Sequence, residues 1–183
     1  MIKWFGRCFL GGCLCYSIGC LSHTAFHGGQ LSKSRGPFFS SIYLAQFPEL
    51  DLNKNGQYAI VFQGFPASPV FLDMDLVGRK SGDEEFVRRF TSEITMELDR
   101  ADGTSVCKAS GKLNQHKHVG EQYWVLAESV DSASFWNSDC LWLKIRRDEG
   151  YALKITVRDS TETLGPLRAR PRLWTPHDYN LLR

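Results

Sequence analysis

From residue 50 onward, apolar and polar residues alternate with a period near two. The runs are short and are cut by Gly, Pro and Asp-Gly signals every ten or so residues. That spacing predicts an antiparallel sandwich or barrel, because side chains on a strand point alternately to core and solvent. QYAIVFQGF (57–65) predicts one strand, and VFLDMDLVG (70–78), after Pro66 and Pro69, predicts the next. Within the latter, Asp73 and Asp75 share one face, expected to be the polar face opposite Phe71 and Met74. In TSEITMELDR (91–100), Ile94, Met96 and Leu98 alternate with Glu93, Thr95 and Glu97, which predicts a half-exposed strand. Ala101-Asp102-Gly103-Thr104 predicts a tight turn, with Asp-Gly supplying positive φ angles, and TSVCKASGKL (104–113) is its partner strand. EQYWVLAESV (121–130) follows. DCLWLKIRR (139–147) and GYALKITVRD (150–159) are expected to pair across Asp148-Glu149-Gly150. Two short helical turns are expected, at DEEFVRRF (83–90), whose charges suit the helix dipole, and at SASFWN (132–137). The predicted fold is all-β: a single antiparallel β-sandwich, immunoglobulin-like, of seven to eight strands with one or two short helices.

The flanks break the pattern. Lys3 and Arg7 precede the uncharged run CFLGGCLCYSIG (8–19), which is followed by polar sequence. A basic start, a short apolar run and a small-residue exit are the parts of a secretory signal peptide. The run is too short for a membrane span, which needs about 20 apolar residues. Ser17-Ile18-Gly19-Cys20 resembles a bacterial lipobox, so Cys20 is the expected lipidation site. The match Leu10-Gly11-Gly12-Cys13 leaves too few apolar residues after Arg7. Cleavage by a general peptidase near Ala25 and an uncleaved anchor are the competing readings. The expected organisation is a signal peptide at 1–19, a tether at 20–49 with a first edge strand at 38–44, the sandwich at 50–160, and a Pro/Arg-rich tail at 161–183. That tail holds Arg168, Arg170, Arg172 and Trp174 among three prolines. It reads as a solvated strap or as a partner-docking or membrane-surface segment, and these four residues are the candidate partner contacts.

Charge narrows the classes. The leader holds two of the chain's 22 basic residues and none of its 20 acidic ones, so the remainder carries 20 of each. No basic excess remains to neutralise phosphates, and nucleic acid is not an expected partner. The cysteines at 8, 13, 15 and 20 lie in apolar sequence without zinc-finger spacing, which argues against a metal there. Downstream only Cys107 and Cys140 remain. A pair in an exported chain predicts a disulfide, between neighbouring strands or facing sheets.

Chemical motifs are sparse. Asp51-Leu52-Asn53-Lys54-Asn55-Gly56 matches the first half of a calcium loop, but position 12, which needs a bidentate acid, is Phe62. The segment reads as a turn. His116 and His118 read as loop histidines, with Glu121 the one acid nearby. No nucleophile elbow, metalloprotease helix or phosphate loop is present. The expectation is no catalytic residue, no metal and no cofactor. Among the aromatics, Trp124 and Tyr123 point to opposite faces of one strand, so one of them is expected outside as a binding-surface candidate.

The order of YAIVFQGF, the hairpin ITMELDRADGTSV, YWVLAES and LKIRRDEGYALKITV resembles a family of uncharacterised bacterial envelope β-sandwich proteins of unknown function, often putative lipoproteins. The resemblance covers roughly 50–160 and rests on Asp99, Asp102 and Gly103 and on Gly150, Tyr151, Leu153 and Ile155. It implies a domain of the periplasm or membrane surface and brings no catalytic residues with it. The expected function is an exported, lipid-anchored module that binds another envelope or periplasmic protein, an immunity protein against a delivered toxin being one form. The alternatives are a structural component of an envelope or secretion assembly, or a hydrolase whose acids leave no local motif.

Overall fold

A computed structural model describes residues 25–36, 40–78, 89–112, 124–128, 133–160 and 166–176. The strands are β1 (Gln30–Arg35), β2 (Ser41–Gln46), β3 (Leu50–Asp51), β4 (Gly56–Gln63), β5 (Phe71–Leu76), β6 (Glu93–Arg100), β7 (Ser105–Lys112), β8 (Val125–Glu128), β9 (Ala133–Trp136), β10 (Gly150–Arg158) and β11 (Arg168–Trp174). All pairings are antiparallel. One sheet runs β1-β2-β11-β5-β9-β8, with β3 also on β11. The other runs β4-β10-β6-β7. The expected two-sheet sandwich is therefore present.

The strand order adds what counting strands could not supply. Take β2, β4, β5, β6, β7, β9, β10 and β11 as eight strands in chain order. The first, eighth, third and sixth line up in one sheet, and the second, seventh, fourth and fifth in the other. This is the jelly-roll order, two interleaved Greek keys, so the expected sandwich stands but its immunoglobulin-like strand order does not. β1, β3 and β8 are additions to it.

The alternation works as the sequence implies. β6 buries Ile94, Met96 and Leu98, and β10 buries Tyr151, Leu153, Ile155 and Val157. From the facing sheet, β5 contributes Leu72, Met74 and Leu76, and β11 contributes Ala169 and Leu173 to the same cluster. Trp124 belongs to this core, its indole donating to the Ile94 carbonyl at 3.2 Å. It is not a surface aromatic, and Tyr123 lies outside the described residues. The β6–β7 turn closes with Gly103 at φ 85, while the Asp102 carboxylate accepts from the Thr104 amide at 2.8 Å. Only the glycine takes a positive φ there.

Four segments also differ from expectation. The segment 20–49 is not a plain tether, because β1 and β2 form a hairpin that joins the large sheet. The tail is not a strap. β11 lies between β2 and β5 in that sheet, since its period of two places Ala169 and Leu173 in the core. Pro171 is tolerated there because its carbonyl accepts from the Phe47 amide at 3.0 Å. A strand residue's N–H and C=O project to the same side, so the missing donor faces the 47–49 loop where β2 gives way to β3. Within the expected helical turn at 132–137, Ala133–Trp136 forms the strand β9 instead. The stretch 139–147 is not a strand of a hairpin with β10. It opens with a 3-10 turn at Ser138–Cys140, makes one isolated bridge between Leu143 and Val70, and turns back. β10 instead finds its partners in β4 and β6. The expected helical turn at 83–90 falls almost wholly outside the described residues, as do His116, His118 and Glu121.

Candidate functional site

The outward side of the large sheet is built by β5 and β11. β5 turns Leu72, Met74 and Leu76 inward, so Phe71, Asp73 and Asp75 share the opposite face. Phe71 therefore sits beside the two acids, not across from them as the sequence suggested. β11 turns Ala169, Pro171 and Leu173 inward, so Arg168, Arg170, Arg172 and Trp174 line up outward. The register sets Arg172 opposite Asp73 and Trp174 opposite Phe71. The four residues singled out in the tail are thus brought onto one face, beside acids that sequence reasoning had not connected to them.

Asp73 is buried although it lies on the outer side of a sheet. Its Oδ1 accepts from Arg172 Nε at 2.5 Å, and its Oδ2 accepts from Arg172 Nη2 at 3.0 Å and from the Trp174 indole at 3.0 Å. The remaining Arg172 nitrogen, Nη1, reaches Asp75 at 3.2 Å. This is a bidentate fork with a second acid behind it, the arrangement for which a planar guanidinium is suited. Burial pushes the Asp73 carboxyl above its ordinary value, against the pull of Arg172 and Trp174. Burial also works to lower Arg172, but its hydrogen bonds and attraction to Asp73 and Asp75 win and hold it above its ordinary value. Asp73 moves upward in spite of its partner because it is the more deeply desolvated of the two. Further along the strand, Arg168 pairs with Glu49 at 3.0 Å and Arg170 pairs with the same carboxylate.

Three rings cluster beside this pair, with Trp174 bonded to it. Phe71 meets Trp174 edge-to-face at 4.8 Å and Trp142 edge-to-face at 4.6 Å. Trp136, opposite Asp73 on β9, is half-buried on the same side. Trp142 is 38 % exposed and carries φ 56, a left-handed conformation that a bulky residue rarely adopts. It is held there from both sides. Val70 and Leu143 exchange backbone hydrogen bonds at 2.8 and 3.0 Å on one flank. On the other, Cys140 is bonded to Cys107, with Cα atoms 5.4 Å apart. The bridge ties β7 of the small sheet to the turn leaving β9 of the large one, so it links facing sheets. Strain of this kind costs about 1–3 kcal/mol and persists only where the surroundings enforce it.

The partial calcium motif is occupied by the protein itself. Asp51 accepts from the Asn53 amide at 2.9 Å and pairs with Lys54 at 3.5 Å. Asn53 accepts from the Leu167 amide, and Asn55 accepts from the Ser160 amide at 3.0 Å. Phe62, where a bidentate acid is needed, is core. Among the described residues no group of three His, Cys, Asp or Glu side chains could hold a metal ion. Cys20 lies outside the described residues.

Phe71 and Trp142 were missed at the sequence level. Phe71 was readable, since it shares the parity of Asp73 and Asp75. Trp142 was not, because its exposure follows from a backbone conformation that no local motif encodes. No protein-family model and no curated protein sequence matches the chain.

Proposed function

We propose that this chain is an exported binding module of the bacterial envelope, anchored through Cys20, that recognises another protein with the face formed by Phe71, Trp142, Trp174, Arg168 and Arg170. One observation carries the reading. An exposed indole is fixed at a strained backbone position beside two further rings, above a buried and fully paired Arg172–Asp73 core. Aromatic and arginine side chains backed by a rigid support are the usual anchors of protein interfaces, since little conformational freedom remains to be lost on docking. Asp73 and Asp75 are the acids that share a face here, and Arg172 engages both. This arrangement favours recognition over a hydrolytic acid pair, which needs carboxyl groups free to exchange protons.

The test is affinity capture from envelope extracts of the host that exports the full chain. The wild type is compared with a Trp142→Asn, Arg168→Glu variant. The reading expects a discrete protein recovered with the wild type and lost with the variant. Identical recovery with both overturns it.

A further inference from the structure

The small sheet ends in β4, whose sequence GQYAIVFQ carries no charge and no proline. Its inner neighbour β10 pairs along nearly the whole strand. On the other side, among the described residues, only the isolated bridge from His27 to Gln63 pairs with it. Gln63 exchanges both hydrogen bonds with His27, at 3.0 and 3.3 Å, so its N–H and C=O point away from β10. By the alternation of a strand, those of Val61, Ala59 and Gln57 point the same way. Gly28 crosses close to the Val61 carbonyl and covers that end of the edge. Ala25 lies beside Gly64, so the described segment 25–28 runs antiparallel to the end of β4 and covers none of it beyond Val61. Among the described residues the open edge therefore comprises Gln57, Ala59 and the Val61 amide. Natural sheets block such edges with lysine, proline or a bulge. β4 uses none of these, and Val61 stands 72 % exposed on it.

We propose that β4 pairs antiparallel with β4 of a second copy of this chain, about a two-fold axis at Ala59, joining two small sheets into one. The strand is complementary to itself in this register. Ala59 faces the partner's Ala59, two small side chains that allow close approach, and the pair exchanges both backbone hydrogen bonds. Each Val61 amide reaches the partner's Gln57 carbonyl. On the inner side Tyr58 comes opposite the partner's Ile60 and the reverse, an aromatic with β-branched pairing that strands favour. Both residues are half-buried and pack on the core already. No charge is opposed to its like. Lys154, beside Ala59 in the sheet, is neutralised by Asp99 at 3.0 Å. The pairing is isologous, so it closes at a dimer and propagates no further through this edge.

The experiment is sedimentation equilibrium of the purified full chain over a wide concentration range, with Ala59→Lys and Ala59→Cys variants. The weight-average mass of the wild type should climb toward twice the monomer value. Ala59→Lys, which sets two ammonium groups against each other, should remain monomeric and melt as the dilute, monomeric wild type does. In the pairing, Cα atoms at position 59 approach to about 5.5 Å, within disulfide reach. Ala59→Cys should therefore cross-link under oxidation beyond the wild-type control. Gln57→Cys, displaced along the strand from its symmetry mate, should not. A monomeric wild type at all concentrations, a dimer indifferent to Ala59→Lys, or equal cross-linking at positions 57 and 59 each overturns the proposal.

Discussion

Replacing Asp73 with alanine removes the acceptor of two guanidinium hydrogen bonds and of one indole hydrogen bond in a single step. The Asp73 side chain is 4 % exposed and that of Arg172 is 21 % exposed, so solvent can replace little of what is lost. Breaking a buried ion pair from one side typically costs about 3–5 kcal/mol, mostly because the surviving charge is stranded. Here Asp75 remains 3.2 Å from Arg172 and relieves part of that penalty. The expectation is therefore the lower end, about 3 kcal/mol. Asp73→Asn keeps an acceptor for the Trp174 indole and should cost about 1–2 kcal/mol. Replacing both partners with leucine leaves no stranded charge. It should cost less than the sum of the two single leucine changes by at least about 2 kcal/mol. The assay is urea unfolding followed by far-UV circular dichroism, with the slope checked for constancy between variants. A loss below about 1 kcal/mol for Asp73→Ala, or additive single changes, refutes the claim that this pair supports the aromatic face.

Other outcomes follow from the same geometry. Removing the Cys107–Cys140 bridge, whose cysteines lie 33 residues apart, should cost about 3–4 kcal/mol and expose Trp142 further, seen as lower urea midpoint and red-shifted fluorescence. A loss near zero contradicts the cross-sheet role. In a carbon-detected NMR titration the Asp73 carboxyl should have its midpoint above the ordinary 3.8, because burial raises it. By linkage the proton-dependent part of this group's contribution is fully present below 3.8 and is lost as pH rises through the folded midpoint, leaving the ion pair with Arg172 above it. Arg172→Met should move that midpoint further up, and a downward movement contradicts the assignment. Trp142→Asn exchanges a strained indole for a residue that tolerates positive φ, at the expense of the contact with Phe71. Stability should change by less than about 1 kcal/mol while partner capture is lost.

Much of this architecture was readable from alternation alone. β4, β5, β6, β7 and β10 stand where the period of two placed them, because each buries one side and the code for doing so is local. β11 was equally periodic, with Arg, Arg, Arg and Trp at every second position. Its prolines and charges disguised it as a tail, and nothing local reveals that a distant strand pair leaves a gap for it. The misplaced hairpin at 139–147 has a similar cause. Its apolar residues alternate, but the disulfide at Cys140 and the bridge at Leu143 fix that stretch to other partners. The site was half legible for the same reason. The outward arginines and Trp174 could be named from the sequence, whereas their pairing with Asp73 and Asp75 depends on a register between residues about a hundred positions apart. The exposure of Trp142 depends on contacts made by its neighbours rather than on its own identity.

The most direct measurement is site-specific photo-cross-linking in cells that export the full chain. A photoreactive residue is placed at Trp142, on the proposed recognition face, and separately at Thr156, on the outer face of the opposite sheet. The account predicts a discrete protein adduct from position 142 that is absent from position 156 and disappears when Arg168 is changed to glutamate. No adduct from position 142, or the same adducts from both positions, contradicts it.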